Sequence, residues 1–334
     1  MTSAPASTSS DTATTERAVH GSRLRRWHEK GLAPVAVIVV LVAVIGAYDN
    51  SFFGAQSIMS LFEQTAPLAL LAIAQGFVIL TGRITLANAA LASLAGVVLA
   101  RTLGTWGPTS VVVVLVGATL CGVLIGWLHV TTQVPSFIVT LGFLGLFAGI
   151  SLAVSKADSF LVTQGYGSIE WIFLRLYGFP ISFLLVLLVT GLLMVVLKVL
   201  PWGREIKAIG LNERAAAFSG VRTNRVVVTV FALSGLLSGL AAVFQVSQLQ
   251  SAGATTSDSL LLPSIAAVIV GGSAISGGVG GVGRTLCGAL VIALLRVGLD
   301  LVGVDSAFQP ILYGVIVILA IAATVDRRRG ATVA

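Results

Sequence analysis

Arg296 and Asp300 stand four residues apart inside an apolar run, a spacing that puts both on one side of a helix. Charge in a membrane is costly and is kept for pairing or for function. The pair therefore reads as a structural ion pair, with a proton relay as the sharper alternative. "GGVGGVG" contains a G-x-G-x-x-G match at Gly278, Gly280 and Gly283, and Asp300 follows near the distance of a ribose-binding acid. No strand–helix unit precedes it, so a tight turn is expected rather than a dinucleotide site. No Walker A run, nucleophile–base set or metal cluster is visible, so no catalytic and no metal residue is assigned. Cys121 and Cys287 lie singly in apolar runs as packing residues, and His129 reads as interfacial. What remains is neutral: Gln75, Thr81, Thr85, Asn88, Ser93, Thr140 and Gln245. Hydroxyls and amides suit weak, releasable hydrogen bonding to an uncharged polyol, and equally suit helix–helix bonding.

The elements that would position these residues are apolar. The chain has 334 residues, 56% hydrophobic and 10% charged, with a mean hydropathy of +1.01. That is more apolar surface than one water-soluble core can hide, so the expected solvent is a bilayer. The net charge of +7 would suggest nucleic acid in a soluble protein. Here its placement along the chain points to a membrane and to no nucleic-acid partner.

Ten apolar runs are legible: 32–48, 65–82, 84–103, 109–131, 136–155, 181–200, 226–249, 260–272, 285–304 and 309–325. The fold class expected is an all-α polytopic membrane protein of about ten transmembrane helices, some broken or re-entrant. The eighth run is short and ends in glycines, as a half-helix would. Residues 1–31 are polar and low in complexity, a disordered cytoplasmic tail. Residues 32–325 form a single transmembrane domain, and 326–334 a basic cytoplasmic tail. With the N-terminus inside, the basic residues Arg83, Lys198, Arg204, Lys207, Arg214, Arg222, Arg225, Arg284 and Arg327–Arg329 fall on the cytoplasmic side. Only Arg101, Lys156 and Arg175 fall outside, as the positive-inside rule requires. The outer segments 49–64 and 156–180 mix aromatic and polar residues. They read either as an interfacial belt or as a docking surface.

After the sixth run comes a polar island, 201–225, containing "GREIKAIGLNERAAAFSGVRTNR". Asn212 is a good N-cap, Glu213 suits the first helical turn, and Gly220 can end a helix in the left-handed conformation. A helix of about two turns over 213–219 is expected. It is too short to stand alone, so something must pack on its apolar face of Ala215, Ala216 and Phe218.

The same stretch resembles the cytoplasmic loop of ribose-type ABC importer permeases, A-I-G-x-N-x-x-A-A-x-x-S-G-I. Ala208, Ile209, Gly210, Asn212, Ala215, Ala216, Ser219 and Gly220 match it. "VPSFIVTLG", "IAAVIVGGSAISGGVGGVG" and "QPILYGVIVILAI" resemble further family segments in the expected order. Two departures remove carboxylates. "GRITLANAA" stands where the family carries G-G-I-D-L-S-V-G, with Arg83 for the second Gly and Thr85 for the Asp. Leu261 stands where the family often carries Glu.

The resemblance implies the transmembrane subunit of an ABC importer, not itself an enzyme, in the cell membrane with both termini cytoplasmic. It would pair with a second permease subunit, homo- or heterodimeric. An extracytoplasmic solute-binding protein would deliver a sugar or related solute. Two ATPase subunits would bind the ATP and Mg, and this chain would hold no cofactor. Glu205, Ala208, Gly210, Asn212, Glu213, Ala215, Ala216, Ser219 and Gly220 would form the ATPase-coupling loop. Gln75, Thr81, Thr85, Asn88 and Thr140 would face the substrate path. The alternatives are an ABC permease for nucleosides or branched-chain amino acids, and an ion-coupled secondary transporter. The last would need buried acids, and beyond Asp300 few are visible.

Overall fold

The computed structural model describes residues 32–48, 50–176 and 178–324. The expected tails 1–31 and 326–334 lie outside the described residues. Twelve α-helices follow one another among those described: α1 Leu32–Tyr48, α2 Ala55–Leu80, α3 Ala87–Trp106, α4 Thr109–Thr132, α5 Ser136–Ser155, α6 Ile181–Val199, α7 Pro201–Leu211, α8 Glu213–Phe218, α9 Thr223–Leu249, α10 Leu261–Val270, α11 Val282–Leu301 and α12 Gln309–Thr324. Seven of them (α2 to α6, α9 and α11) are long and apolar enough to cross a membrane. The shorter apolar helices are α1, α10 and α12.

The expected runs and these helices agree closely, with two differences. Helix α2 begins at Ala55, well before position 65. Its one acid, Glu63, does not end the helix because Arg175 Nε lies 3.1 Å from its Oε1 and neutralises it. Helix α7 was not expected. Pro201 occupies its first turn, where a missing N–H costs nothing. Its charges stay outward, while Gly203, Ile206 and Ile209 turn into the bundle.

Helix α2 is the hub, buried continuously from Thr65 to Leu80. Helix α9 packs most extensively on α4, then on α2 and α3. Glycine permits that approach: a Cβ on Gly122 would strike the Phe231 carbonyl, and one on Gly235 the Ala118 carbonyl. Close approach through small residues is how helices associate in lipid, where burial of apolar surface supplies no drive. The periphery is apolar instead. Val112, Val116 and Leu120 on α4, and Leu188, Leu192 and Val195 on α6, are all exposed. Only a hydrocarbon solvent suits such a surface.

Between α5 and α6, residues 156–176 and 178–180 fold into short pieces. Phe160–Leu161 pairs antiparallel with Ser251–Ala252, and Arg175–Leu176 with Phe179–Pro180. Arg175 also donates to Gln56 Oε1 at 2.8 Å, holding this loop to the start of α2.

Candidate functional site

Helix α8 is short and fully capped. Asn212 takes an extended conformation and its Oδ1 accepts from Ala215 N at 3.0 Å. At the other end Gly220 sits at φ 86°. Val221 N donates to Ala216 O at 3.1 Å and Gly220 N to Ala217 O at 3.0 Å, a Schellman closure. Ser219 Oγ adds a bond to Ala215 O at 2.9 Å. The caps fix six residues that could not hold a helix alone.

The apolar residues of α8 do not share a face. Ala216 is buried, whereas Ala215 and Ala217 are exposed and Phe218 is 93% exposed. The expected face of Ala215, Ala216 and Phe218 is thus split: one side meets the bundle and the other presents Phe218 outward. Leu211, 70% exposed, stands nearby. Helix α7 is anchored by Trp202, whose Nε1 donates to Thr229 Oγ1 at 2.9 Å and whose ring stacks near Phe77 with centroids 5.9 Å apart. Glu205 and Ala208 on α7 are half-buried.

Arg83 joins this loop to the bundle. Its Nη2 lies 2.7 Å from Glu213 Oε1, its Nη1 donates to Thr81 O at 3.1 Å, and its Nε donates to His129 Nε2 at 2.8 Å. His129 Nδ1 lies 2.7 Å from Val134 O, so it donates there and Nε2 is left to accept. This set requires the neutral ring protonated at Nδ1. Sequence reasoning noted Arg83 as a departure and as one of the cytoplasmic cations, and His129 only as interfacial. Glu213 was placed, but its partner was not. The available signal was one new cation and one acid, each beside a chain break.

The chain break 81–86 is wired down by side chains. Thr81 Oγ1 donates to Val78 O at 2.7 Å and closes α2. Thr85 Oγ1 accepts from Ala87 N at 3.3 Å, Thr140 Oγ1 from Leu86 N at 3.1 Å, and Ser136 Oγ from Ile84 N at 3.2 Å. These bonds satisfy N–H groups that a helix start leaves open. Deeper, Asn88 Nδ2 donates to Gln75 Oε1 at 3.3 Å and Ser234 Oγ to Asn88 Oδ1 at 3.0 Å, linking α2, α3 and α9. Gln75, Thr81, Thr85, Asn88 and Thr140 are all buried. The structure therefore brings the five expected path residues together, but as interior bonding that secures a broken segment.

Gly277 and Gly278 of "GGVGGVG" lie against neighbouring backbone. Gly277 and Gly278 sit at φ 89° and 75°, and Gly278 N donates to Leu80 O at 2.9 Å. Gly210 lies against Leu80 O and Gly278 N with no room for a Cβ, and Gly277 does the same against Gly82. This is the tight turn expected there.

The expected Arg296–Asp300 ion pair is not formed. The ion pairs among the described residues are Arg83–Glu213 and Arg175–Glu63. Asp300 Oδ1 instead accepts from Gln309 Nε2 at 2.7 Å, a bond from α11 to the start of α12. Both side chains are exposed toward the C-terminal end of α11.

A bundle of apolar spans with a buried, hydrogen-bonded break and a capped polar loop defines a multi-pass membrane protein. The family model described as branched-chain amino acid transport system / permease component matches residues 57–321, and the chain belongs to this permease family. It is similar to the ribose import permease protein RbsC of Bacillus subtilis (strain 168), 34% identical over 90% of this chain and 94% of that one. Against the protein of the same name from Escherichia coli (strain K12) it is 31% identical over 92% and 98%. The fructose import permease protein FrcC of Rhizobium meliloti is 29% identical over 90% and 87%. No solved structure matches.

Proposed function

We propose that this chain is the transmembrane subunit of a sugar-importing ABC transporter. It works with a second permease subunit, two ATPase subunits that bind ATP and Mg, and an extracytoplasmic binding protein. The carrying observation is the 2.7 Å ion pair between Arg83 at the α2–α3 break and Glu213 at the start of α8. It connects an outward-presented, capped helix to the irregular segment inside the bundle. The relatives named for ribose, fructose and D-allose import support a sugar as cargo. The basic residues of 198–225 support a cytoplasmic position for α7 and α8, with ten crossings in all and both termini inside.

In this reading Phe218 and Leu211 enter a groove on the ATPase. Asn212, Ser219 and Gly220 keep α8 rigid, and Ala216 with Gly210 seats it on the bundle. ATP-driven movement of the ATPase then shifts α7 and α8 as one body and biases two packings of the spans. The test is the full transporter in proteoliposomes. Binding protein loaded with D-ribose, D-fructose or D-allose should stimulate ATP hydrolysis and sugar uptake. Uptake that ignores ATP and collapses with the proton gradient overturns the reading.

A further inference from the structure

The segment between Gln250 and α10 is not α-helical. Ser251–Ala252 pairs with Phe160–Leu161, residues 253–257 form turns, and a 3-10 turn, Asp258–Leu260, leads into α10 at Leu261. Their depth follows from Ser93. It lies about 15 Å down α3 from Leu103 at 1.5 Å per residue, and the Leu103 carbonyl lies against Gly165 of the segment between α5 and α6, with no room for a Cβ. Ser93 Oγ accepts from Ser257 N at 2.9 Å and donates to Asp258 Oδ1 at 3.1 Å. The segment is held from behind as well: Gln245 Nε2 donates to Thr256 O at 3.0 Å, and Ser257 Oγ to Gln245 Oε1 at 2.5 Å. Ser93, Gln245 and Ser257 are each more than nine-tenths buried.

Asp258 differs from its supports. Its side chain is exposed, as are Thr255 and Ser259 beside it. Its Oδ2 accepts no hydrogen bond, and no cation pairs with it among the described residues. A carboxylate with one free oxygen, beside the turns at 253–257, cannot face lipid at this depth and is tolerated only against protein or a water-filled cavity. No expectation from sequence named Asp258.

We infer that Asp258 is a solute-contact residue of the permeation path, reading the hydroxyl groups of an uncharged polyhydroxylated solute. An ionised carboxylate only accepts, and two adjacent hydroxyls can donate to it together. Thr255 and Ser259 add hydroxyls that can donate or accept. The same charge rejects anionic solutes such as sugar acids and sugar phosphates. A dehydrated metal cation would need several oxygen ligands, and no metal-binding group of acids exists among the described residues. The cargo assignment rests on the proposed sugar-permease function, whereas the exposure of Asp258 to water does not.

Two measurements on the full transporter in cell membranes test it. First, Asp258→Cys, made with Cys121→Ser and Cys287→Ser, is treated with a charged, membrane-impermeant methanethiosulfonate. It should be modified, while Leu188→Cys in the same background, on the lipid side, stays inert. Second, uptake of labelled D-ribose, D-fructose and D-allose is compared. Asp258→Asn should lower uptake by about tenfold, the scale of one charge-assisted hydrogen bond, at unchanged surface expression. Asp258→Glu should recover part of it. An unreactive thiol, or equal uptake by Asp258→Asn, overturns the inference. If the wild type moves none of these sugars, the sugar-permease reading fails, and the thiol result alone decides whether Asp258 lines a watery path.

Discussion

Arg83 Nη2 lies 2.7 Å from Glu213 Oε1, an ion pair across 130 positions of sequence. It binds a residue of the α2–α3 break to the first residue of α8. Arg83 is largely buried and Glu213 about half-exposed, so solvent weakens the pair but leaves its direction fixed. Glu213→Gln should cost at most about 1 kcal/mol of stability. It should lower sugar-stimulated ATP hydrolysis by about fivefold, the same free energy expressed as coupling. The double variant Arg83→Glu with Glu213→Arg should recover part of the loss, measured as stimulated over basal hydrolysis. No loss in Glu213→Gln would remove the pair from the coupling route.

The two faces of α8 separate docking from folding. Phe218→Asp should leave the protein as stable in detergent as the wild type, because Phe218 touches little of this chain. Co-purification with the ATPase should fall sharply. Ala216→Asp places a charge where Ala216 is 5% exposed, and should lower thermal stability instead. A Phe218→Asp protein that still retains its ATPase would move the docking surface elsewhere.

Thr140 bridges α5 to the start of α3 through Leu86 N. Thr140→Val keeps the shape and removes the acceptor. A buried unsatisfied N–H should cost about 1–3 kcal/mol, read as a lower unfolding midpoint. Solute affinity at the binding protein should not change. A selective loss of transport at full stability would instead return Thr140 to the path.

Glycine positions on one helix class should behave oppositely. Gly122→Val drives a side chain into the Phe231 carbonyl and should destabilise the α4–α9 contact by about 1–3 kcal/mol. Gly142 on α5 has nothing within 4 Å of its Cβ position. Gly142→Ala should be neutral or stabilise by about 0.5–1 kcal/mol. Thermal unfolding of the two variants in one detergent compares them directly.

Helix positions were legible because each span must supply a long apolar run, and the chain obliges at almost every one. The start of α2 was not, because Glu63 reads as a boundary until Arg175 is seen beside it. Helix α7 hid among charges that lie on one face only. The caps of α8 were legible because Asn212 and Gly220 act within a few residues of themselves. Long-range pairs were not: nothing near Arg83 points to Glu213 or His129. Burial misled most. Gln75 and Asn88 have the chemistry of a path, yet three helices close over them, and a polar type alone does not reveal which way it faces.

The meeting of Gly82, Gly210 and the Gly277–Gly278 turn has a mechanical consequence. Main chain rests on main chain there, with no side chain between. A side chain can swing to another rotamer and soak up a displacement, but a peptide plane cannot. The joint therefore has no slack. In the proposed coupling, a stroke delivered to α7 would be passed directly to the end of α2 and the turn before α11. Even a single methyl group added there would wedge the linkage.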